Sequence, residues 1–570
     1  MTTTEIRRRS ALPPLEFGAA LHPVLRRVYA ARGISSDEEL DLSLDRLLPV
    51  GSLAGVNEAA RLLALHRSQG RILVIGDFDA DGATSSALLV RALRALRFAH
   101  VDFLVPNRFR FGYGLTRGIV ALAAERRPTL LVTVDNGVSS IDGVEAARAL
   151  GIPVLVTDHH LPGAELPGAA AIVNPNLADS RFASPALAGV GVTFYVVAAV
   201  AQLLGQDDFR AADLLDLVAL GTVADVVPLD RNNRVLVAQG LRRIRAGRCT
   251  AGIRALLESA GRRIEQVTAA DLGFAVAPRL NAAGRLTDMS LGIACLLTDD
   301  PAEATQLAGQ LARLNEERRE IEQRMQTEAV DIAADVRFTD DGNESPGLCL
   351  FEESWHQGVV GLVAGRIKDR LHRPVVAFAR AEDGSLRGSA RSVSGVHIRD
   401  ALDSIAARNP GLIEKFGGHA MAAGMTLLEE NLPLFRSAFA AEIAARADSE
   451  SLQGVIHSDG ELRGAELSVD TARLLRSAGP WGQGFPEPVF DGDFHIVEAR
   501  IVGGKHLKMR LKATDGADSI EAIAFGYVGG ACEDPQVRRG ARIQLAYRLE
   551  VNDYRGIERV QLNCQHFKLT

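Results

Sequence analysis

Between residues 55 and 230 the apolar positions switch period repeatedly. Near-continuous apolar runs at Ile72–Ile75, Leu130–Val134 and Val154–Val156 alternate with stretches whose apolar residues recur every three or four positions. A short unbroken run reads as a strand buried on both faces. The longer recurrence reads as an amphipathic helix. The predicted order is helix 57–67, strand 71–76, helix 83–96, strand 101–105, helix 116–125, strand 130–134, helix 140–149, strand 153–157 and strand 170–173. A helix opened by Gly189-Val190-Gly191 then runs to about Leu204. Strand–helix alternation of this kind implies a parallel sheet with right-handed crossovers.

Residues 235–297 read as mainly helical. Asp300 suits an N-cap and Pro301 the first position of a long helix to about Val336. Its apolar stripe is Leu307, Leu311, Leu314, Ile321, Met325, Ala329 and Ile332. With few heptads present, a connector packed along two domains is favoured over a coiled-coil dimer. Asp340 to Pro346 reads as a polar hinge. A second α/β unit follows, with strands Leu348–Phe351 and Pro374–Phe378 and helices ending near Leu371 and Ala407. After residue 454 the period falls to two in short runs at Val455–Ile456, Phe494–Val502, Leu507–Leu511, Ile520–Phe525, Ile543–Glu550 and Val560–Leu562. Many short strands without long helices predict a small barrel or sandwich. The expected division is an irregular lead-in at 1–50 with a short helix at Asp37–Leu47, an α/β domain at 51–299, a connector at 300–338, a second α/β domain at 339–447 and a β-barrel at 454–570.

Composition narrows the classes. Apolar residues make up 47% of the 570, enough for several cores. No apolar run is long enough to span a bilayer. Met1 to Pro14 carries Arg7-Arg8-Arg9 without an apolar stretch, which argues against a secretory leader. The five cysteines are scattered with no CxxC pair, against a zinc ribbon or disulfide framework and in keeping with a reducing cytoplasm. The net charge of −7 speaks mildly against a nucleic-acid partner, but a phosphate backbone responds to the local field.

The candidate chemistry sits where apolar runs stop. Asp77, Asp79 and Asp81 alternate after Ile75, so they share a face if the strand continues. Three converging carboxylates need compensation, and oxygen ligands suit Mg or Mn. Three more segments end the same way: Val134 in Asp135-Asn136-Gly137, Thr157 in Asp158-His159-His160, and the helical stretch Leu214–Val223 in Ala224-Asp225-Val226-Val227-Pro228. Ligands bind outside the carboxyl ends of strands in open α/β sheets. A lone acidic strand end is commonly a helix cap, but three plus a His pair point to a metal or phosphate site. In Asn107–Gly114, arginines beside aromatics suit phosphate and base contact. Ala277–Arg285 reads as a Pro/Gly/Asn loop with two arginines. Gly417-Gly418-His419 reads as a turn near a helix start, an anion cradle or merely a tight turn. His356 and His397 stand evenly between function and structure. Gly482–Phe490 is a rigid Gly/Pro loop. Basic and aromatic residues mingle at Lys505–Arg510 and Asn552–Arg555.

In order, the four acidic segments resemble the motifs of the DHH phosphoesterase superfamily and, within it, of the RecJ single-strand-specific DNA exonucleases. The likeness runs from about residue 50 to the end. It implies a DHH domain, a substrate-gripping DHHA1 domain and a C-terminal OB-fold. It implies 5′→3′ exonuclease activity on single-stranded DNA in repair and recombination, by phosphodiester hydrolysis with two divalent cations, Mn or Mg. Ligands would be Asp79, Asp81, Asp135, His159 and Asp225, with Asp135 bridging. Asp77 stands where some relatives carry a His ligand. Asp158 is expected to orient His159, and His160 to stabilise charge at the scissile phosphate or act as general acid. Arg108, Arg279, Ser389 and Arg391 would form a 5′-phosphate pocket with Gly417, Gly418 and His419 nearby, and Arg285 would be a further phosphate ligand. A monomeric cytoplasmic enzyme is expected, with a helicase and a single-strand-binding protein as family-type partners. The rivals are a phosphodiesterase of cyclic dinucleotides or short oligonucleotides, a DHH pyrophosphatase, and a non-catalytic DNA-binding scaffold.

Overall fold

The structure is a computed structural model that describes residues 4–10, 17–18, 21–107, 111–336, 344–448, 451–514, 519–527, 537–554 and 556–570. The chain forms two compact units. One holds residues 11–316 and 474–487, the other residues 1–10, 317–473 and 488–570.

The first unit is built on a five-stranded sheet in the order His100–Leu104, Arg71–Ile75, Leu130–Val134, Val154–Thr157, Ala171–Val173. Every pairing is parallel. The runs Ile72–Ile75 and Leu130–Val134 are buried at every position, as unbroken apolar strands must be when helices cover both faces. Helices Ala80–Ala95, Gly189–Leu203 and Leu215–Ala224 pack on one another. Their burial extends nearly all round, so their periodicity is weak.

Two elements of this unit depart from the pattern. Residues 277–286 form a helix, not a loop, entered through a π-helical turn at Leu272–Val276. Pro278 is tolerated because it lies in the first turn, where its missing N–H costs no helical bond. Residues 478–487 pack within this unit. Trp481 and Phe485 stack with centroids 5.2 Å apart, the Arg234 guanidinium lies 4.3 Å above Phe485, and Leu229 N–H donates to Gln483 O at 2.7 Å. Burial of two aromatic rings and a cation–π contact outweigh chain proximity.

The second unit holds a mixed sheet in the order Lys415–Gly418, Ala422–Leu427, Leu386–Arg391, Val375–Arg380, Leu348–Phe351, with only the last pair parallel. It also holds a closed five-stranded barrel of Phe490–Val502, His506–Ala513, Ile520–Ala524, Ile557–Leu569 and Arg542–Tyr554. Two α/β sheets and a C-terminal barrel are the architecture the pattern predicts. Arg555 and the hinge residues 340–343 lie outside the described residues.

The long helix Pro301–Val336 is capped by Asp300, whose Oδ1 accepts Ala302 N–H at 2.9 Å. Its buried line is shifted from the predicted stripe. Ala304, Ala308, Leu311, Asn315, Arg318, Glu322, Met325, Ala329 and Ala333 are buried, whereas Leu307, Leu314, Ile321 and Ile332 are half-buried. Polarity misled the reading here, because Arg318 and Glu322 pair with each other and Arg366 reaches Glu322.

The described residues of 1–50 carry regular structure that the lead-in reading did not anticipate. Glu5–Arg8 is a strand that pairs in parallel with Val455–Ser458, which lies outside the barrel. Asp37–Leu40 and Leu44–Arg46 are 3-10 turns in place of the predicted helix. Both oxygens of Asp491, 3% exposed, receive the Arg8 guanidinium at 2.7–3.0 Å, and Ser458 Oγ donates to the same carboxylate. Asp491→Ala strips the partners from Ser458 and Arg8, so we expect a loss of about 2 kcal/mol in denaturant unfolding and faster proteolytic release of residues 1–10. An unchanged midpoint would refute the anchoring role.

Candidate metal centre and active site

Strand Arg71–Ile75 stops before the first acids, so these do not share a strand face. Asp79 caps the next helix, its Oδ1 accepting Gly82 N–H at 3.0 Å, and the helix begins at Ala80 instead of residue 83. Asp81 therefore lies in the first helical turn. Its two oxygens accept Gly189 and Val190 N–H at 2.7 and 2.9 Å, from the amino end of Gly189–Leu203. Asp77 Oδ1 accepts Phe78 N–H at 2.7 Å. A Cβ on residue 189 would lie 2.6 Å from Asp135 Oδ1, so only glycine lets that helix end come so close.

Asp135 follows the neighbouring strand in the left-handed region, at φ 61°. Among the described residues its Oδ1 is buried without a hydrogen-bond partner, 3.2 Å from His159 Nε2. His159 Nε2 is also 3.4 Å from Asp225 Oδ2. Asp225 closes helix Leu215–Ala224, and Val226 after it has φ 62°, a strained setting for a β-branched residue. Nothing in the residue pattern signals either positive φ.

Three sets of ligand atoms lie within 4.8 Å of one another: Asp77, Asp79 and Asp135; Asp81, His159 and Asp225; and Asp135, His159 and His160. Asp135 belongs to two of them. A buried, unsatisfied carboxylate oxygen facing an imidazole nitrogen, ringed by further carboxylates, fits a hard divalent cation. Burial, and then the charges of Asp81 and Asp79, hold Asp135 and Asp225 well above the usual carboxylate range. Asp81 is pushed up to about 7 by burial and then by Asp79.

Asp158 is the exception. Burial is the largest influence and would raise it, but the hydrogen bond and charge of His160, the Val138 amide and the charge of His159 together hold it low. Its Oδ1 accepts His160 Nδ1–H at 2.7 Å, and its Oδ2 accepts Val138 N–H at 2.9 Å. The expected pairing with the His159 ring is corrected here: Asp158 meets residue 159 through the backbone N–H at 2.7 Å and orients the ring of His160. The turn brings position i+2 back over the carboxylate and aims i+1 away. Burial is the largest influence and lowers the His160 pKa, but the Asp158 bond and the charges of Asp158, Asp77 and Asp79 together raise it.

Several residues at the centre escaped the sequence reading. Asn281 Oδ1 accepts the N–H of Ala80, between Asp79 and Asp81, at 2.8 Å. A Cβ at Gly284 would meet Phe78 O at 1.8 Å. The 277–286 helix thus braces the metal loop through Asn281 and Gly284. Arg279, half-buried, donates to Ala275 O at 2.5 Å, and Arg285 is also half-buried on that helix. Asn174 and Asn176 hold the His160 and His159 carbonyls at 2.9 and 2.6 Å. Tyr113, 51% exposed, places its hydroxyl 3.3 Å from His160 Nδ1 and 3.4 Å from Nε2. No charge or spacing marks the asparagines in sequence.

In the second unit, Ser389 and Arg391 alternate on strand Leu386–Arg391, joined by an Arg391 Nη1 to Ser389 Oγ bond of 3.0 Å. Ala422 pairs with Arg391, so the Gly417–His419 segment lies at the same sheet end. That segment is a hairpin, not a helix start: His419 N–H donates to Ala422 O at 2.8 Å, and Gly418 has φ 145°. His397 Nδ1 accepts Asp400 N–H as the N-cap of helix Ile398–Arg408, and His356 Nδ1 accepts Gly358 N–H in the turn before helix Val360–Leu371. Arg108 lies outside the described residues.

Family models match in the same order: the DHH family N-terminal domain over residues 71–222, the DHHA1 domain over 344–445 and the RecJ OB domain over 458–566. The single-stranded-DNA-specific exonuclease RecJ of Escherichia coli is 51% identical over 568 residues, 98% of each chain. The chain belongs to the RecJ family. The RecJ of Thermus thermophilus is 36% identical over 88% of this chain and 71% of its own length. The Thermus RecJ structure in complex with Mn2+ superposes with a TM-score of 0.82 at 32% identity, covering 99% of this chain and 80% of that one, and its Mg2+ complex with 0.77 at 31%. Those bound ions suit the RecJ-family donor set described above.

Carboxyls raised in the fold favour the metal-free protein at low pH, and that stability is lost as pH rises from 3.8 towards the Asp81 value of about 7. The melting temperature with Mn2+ minus that with EDTA should therefore widen across this window; a flat difference would refute the repulsion. Asn281→Ala should weaken Mn2+ binding by about tenfold in a calorimetric titration, the usual cost of losing a residue that supports ligands from behind.

Proposed function

We propose that the chain is a single-strand-specific 5′→3′ DNA exonuclease that releases 5′-mononucleotides by metal-dependent phosphodiester hydrolysis. The observation that carries this is the pair of three-residue ligand sets, with Asp135 also facing His159. Family membership supplies the substrate. In this reading Asp77, Asp79 and Asp135 hold one cation and Asp81, His159 and Asp225 the other, with Asp135 bridging. Divalent cations bound there neutralise phosphate charge and lower the pKa of water.

The chain's own groups do the rest. Asp158 fixes His160 through Nδ1, and the raised His160 pKa favours a protonated ring that donates a proton to the leaving oxygen. Tyr113 steadies that ring. Residues 51–299 act as catalytic domain, 300–338 as connector, 339–447 as substrate grip and 454–570 as strand-binding barrel. Arg108, Arg279, Arg285, Ser389, Arg391 and the Gly417–His419 hairpin serve the 5′ phosphate. No described helix is long and apolar enough to cross a membrane. We place the chain in the cytoplasm as a monomer working with a helicase and a single-strand-binding protein.

The test is digestion of a 5′-phosphorylated, end-labelled single strand beside its 3′-labelled twin and a blunt duplex. We expect mononucleotides from the 5′ end of the single strand with Mg2+ or Mn2+, and none with EDTA. Asp135→Ala should slow the reaction by about a thousandfold, the several kcal/mol that metal charge stabilisation supplies. Binding without cleavage, or turnover of a cyclic dinucleotide with DNA left intact, would overturn the reading.

A further inference from the structure

Phe274 holds its ring out in water beside the metal centre. It is 79% exposed, and among the described residues no aromatic side chain is more so. It makes no ring or cation contact among them. A single exposed apolar residue is ordinary. The setting of this one is not. It lies in the middle of the π-helical turn Leu272–Val276, where Leu272, Ala275 and Val276 are all buried. Such turns are rare and are frequent at functional sites. Residues 271, 272, 276 and 277 are all in the right-handed helical region, so the turn runs on without a break into helix Ala277–Leu286.

Position ties the ring to the reaction. Phe274, Pro278, Asn281 and Arg285 recur at steps of four, three and four, the spacing of one helix face. Asn281 on that face accepts the Ala80 N–H of the metal loop. Along the helix axis Phe274 stands on the order of 10 Å from Asn281. The same turn abuts the second helix that ends in a ligand: a Cβ on Gly273 would lie 3.1 Å from Val223 Cγ1, just ahead of Asp225. Val226, which follows Asp225, is also exposed. All of these residues belong to the first unit.

We propose that Phe274 stacks on a base of the single strand whose 5′ end enters the metal centre, and so holds that strand in register for cleavage. The substrate is that of the exonuclease reading, on which this assignment rests. Every base offers a π face to an exposed ring, so the contact grips DNA without selecting sequence. It needs a base free of its partner strand, which favours single strands over duplex. A protein partner would call for a contiguous apolar patch. This face instead continues through half-buried Pro278 to Arg285, whose guanidinium suits the phosphates on either side of a stacked base.

The experiment is fluorescence anisotropy of a labelled, 5′-phosphorylated single strand on the full chain in EDTA, so that binding is read without turnover. A single abasic nucleotide is placed at each position of the 5′ half in turn. We expect Phe274→Ala to weaken binding by about five- to a hundredfold, the worth of one base–aromatic stack, and Phe274→Trp to retain it. At one position the abasic nucleotide should cost the wild type the same factor and cost Phe274→Ala nothing, a coupling that a merely structural loss does not produce. The melting temperature should not move, because the ring is exposed. No binding by the wild type, unchanged affinity in Phe274→Ala, or a loss that no abasic position reproduces would overturn the stack. Digestion of the same strand by the wild type with Mn2+ is scored separately: its absence would sink the exonuclease reading, while the coupling would still decide the stack.

Discussion

Like-charge repulsion is the constraint around which the first unit is arranged. Asp77, Asp81, Asp135 and Asp158 are buried, and they converge with Asp79 and Asp225 beyond the carboxyl ends of the three interior strands of the parallel sheet. At about 4 Å each ionised pair costs around 4 kcal/mol even at the effective dielectric of a protein surface. Backbone amides offset part of this. Gly189 and Val190 serve Asp81, Val138 and the amides of residues 159 and 160 serve Asp158, and Phe78 and Gly82 serve Asp77 and Asp79. Among the described residues none is found for Asp135 Oδ1. The amide supply runs out where the ligand sets overlap, and a divalent cation must complete it.

That constraint explains the local departures from regular backbone. Presenting amides to carboxylates requires helix ends to approach strand ends closely, which only Gly189 and Gly284 allow at their positions. Positive φ at Asp135 and Val226 places strained backbone at or beside two of the carboxylates that meet His159 Nε2, at a cost of about 1–3 kcal/mol each. The turns are held by neighbours whose side chains carry no charge. Asn136 ties the ends of two adjacent strands through Ile75 O and Val134 O, and Asn174 and Asn176 fix the two histidine carbonyls.

What the sequence disclosed follows from the same physics. An apolar run that stops in acids is visible without a structure, so the strands and the metal-ligand candidates were legible, and strand–helix alternation made the parallel pairing legible, but not the strand order. The helix start at Ala80 was not, because a capping Asp and a ligand Asp look alike. The 277–286 helix was hidden by Pro278, Asn281 and Gly284, residues that read as a loop and instead serve a first turn, a brace and a close approach. The pairing of Glu5–Arg8 with Val455–Ser458 joins segments 450 residues apart, where local pattern carries no information. The buried line of the long helix was misplaced because Arg318 and Glu322 neutralise each other inside it.

The two adjacent histidines show how partners, not residue type, divide the labour. His159 and His160 lie with ring centroids 4.5 Å apart, yet they face different surroundings. His159 Nε2 meets the carboxylates of Asp135 and Asp225, an arrangement that attracts a cation. His160 Nδ1 is committed to Asp158, which is itself pinned by Val138. Fixing Nδ1 as the proton carrier toward Asp158 sets the ring's tautomer and orientation. One histidine is therefore shaped to hold a metal and its neighbour to hold a proton. The distinction depends on which residue of the turn folds back over Asp158.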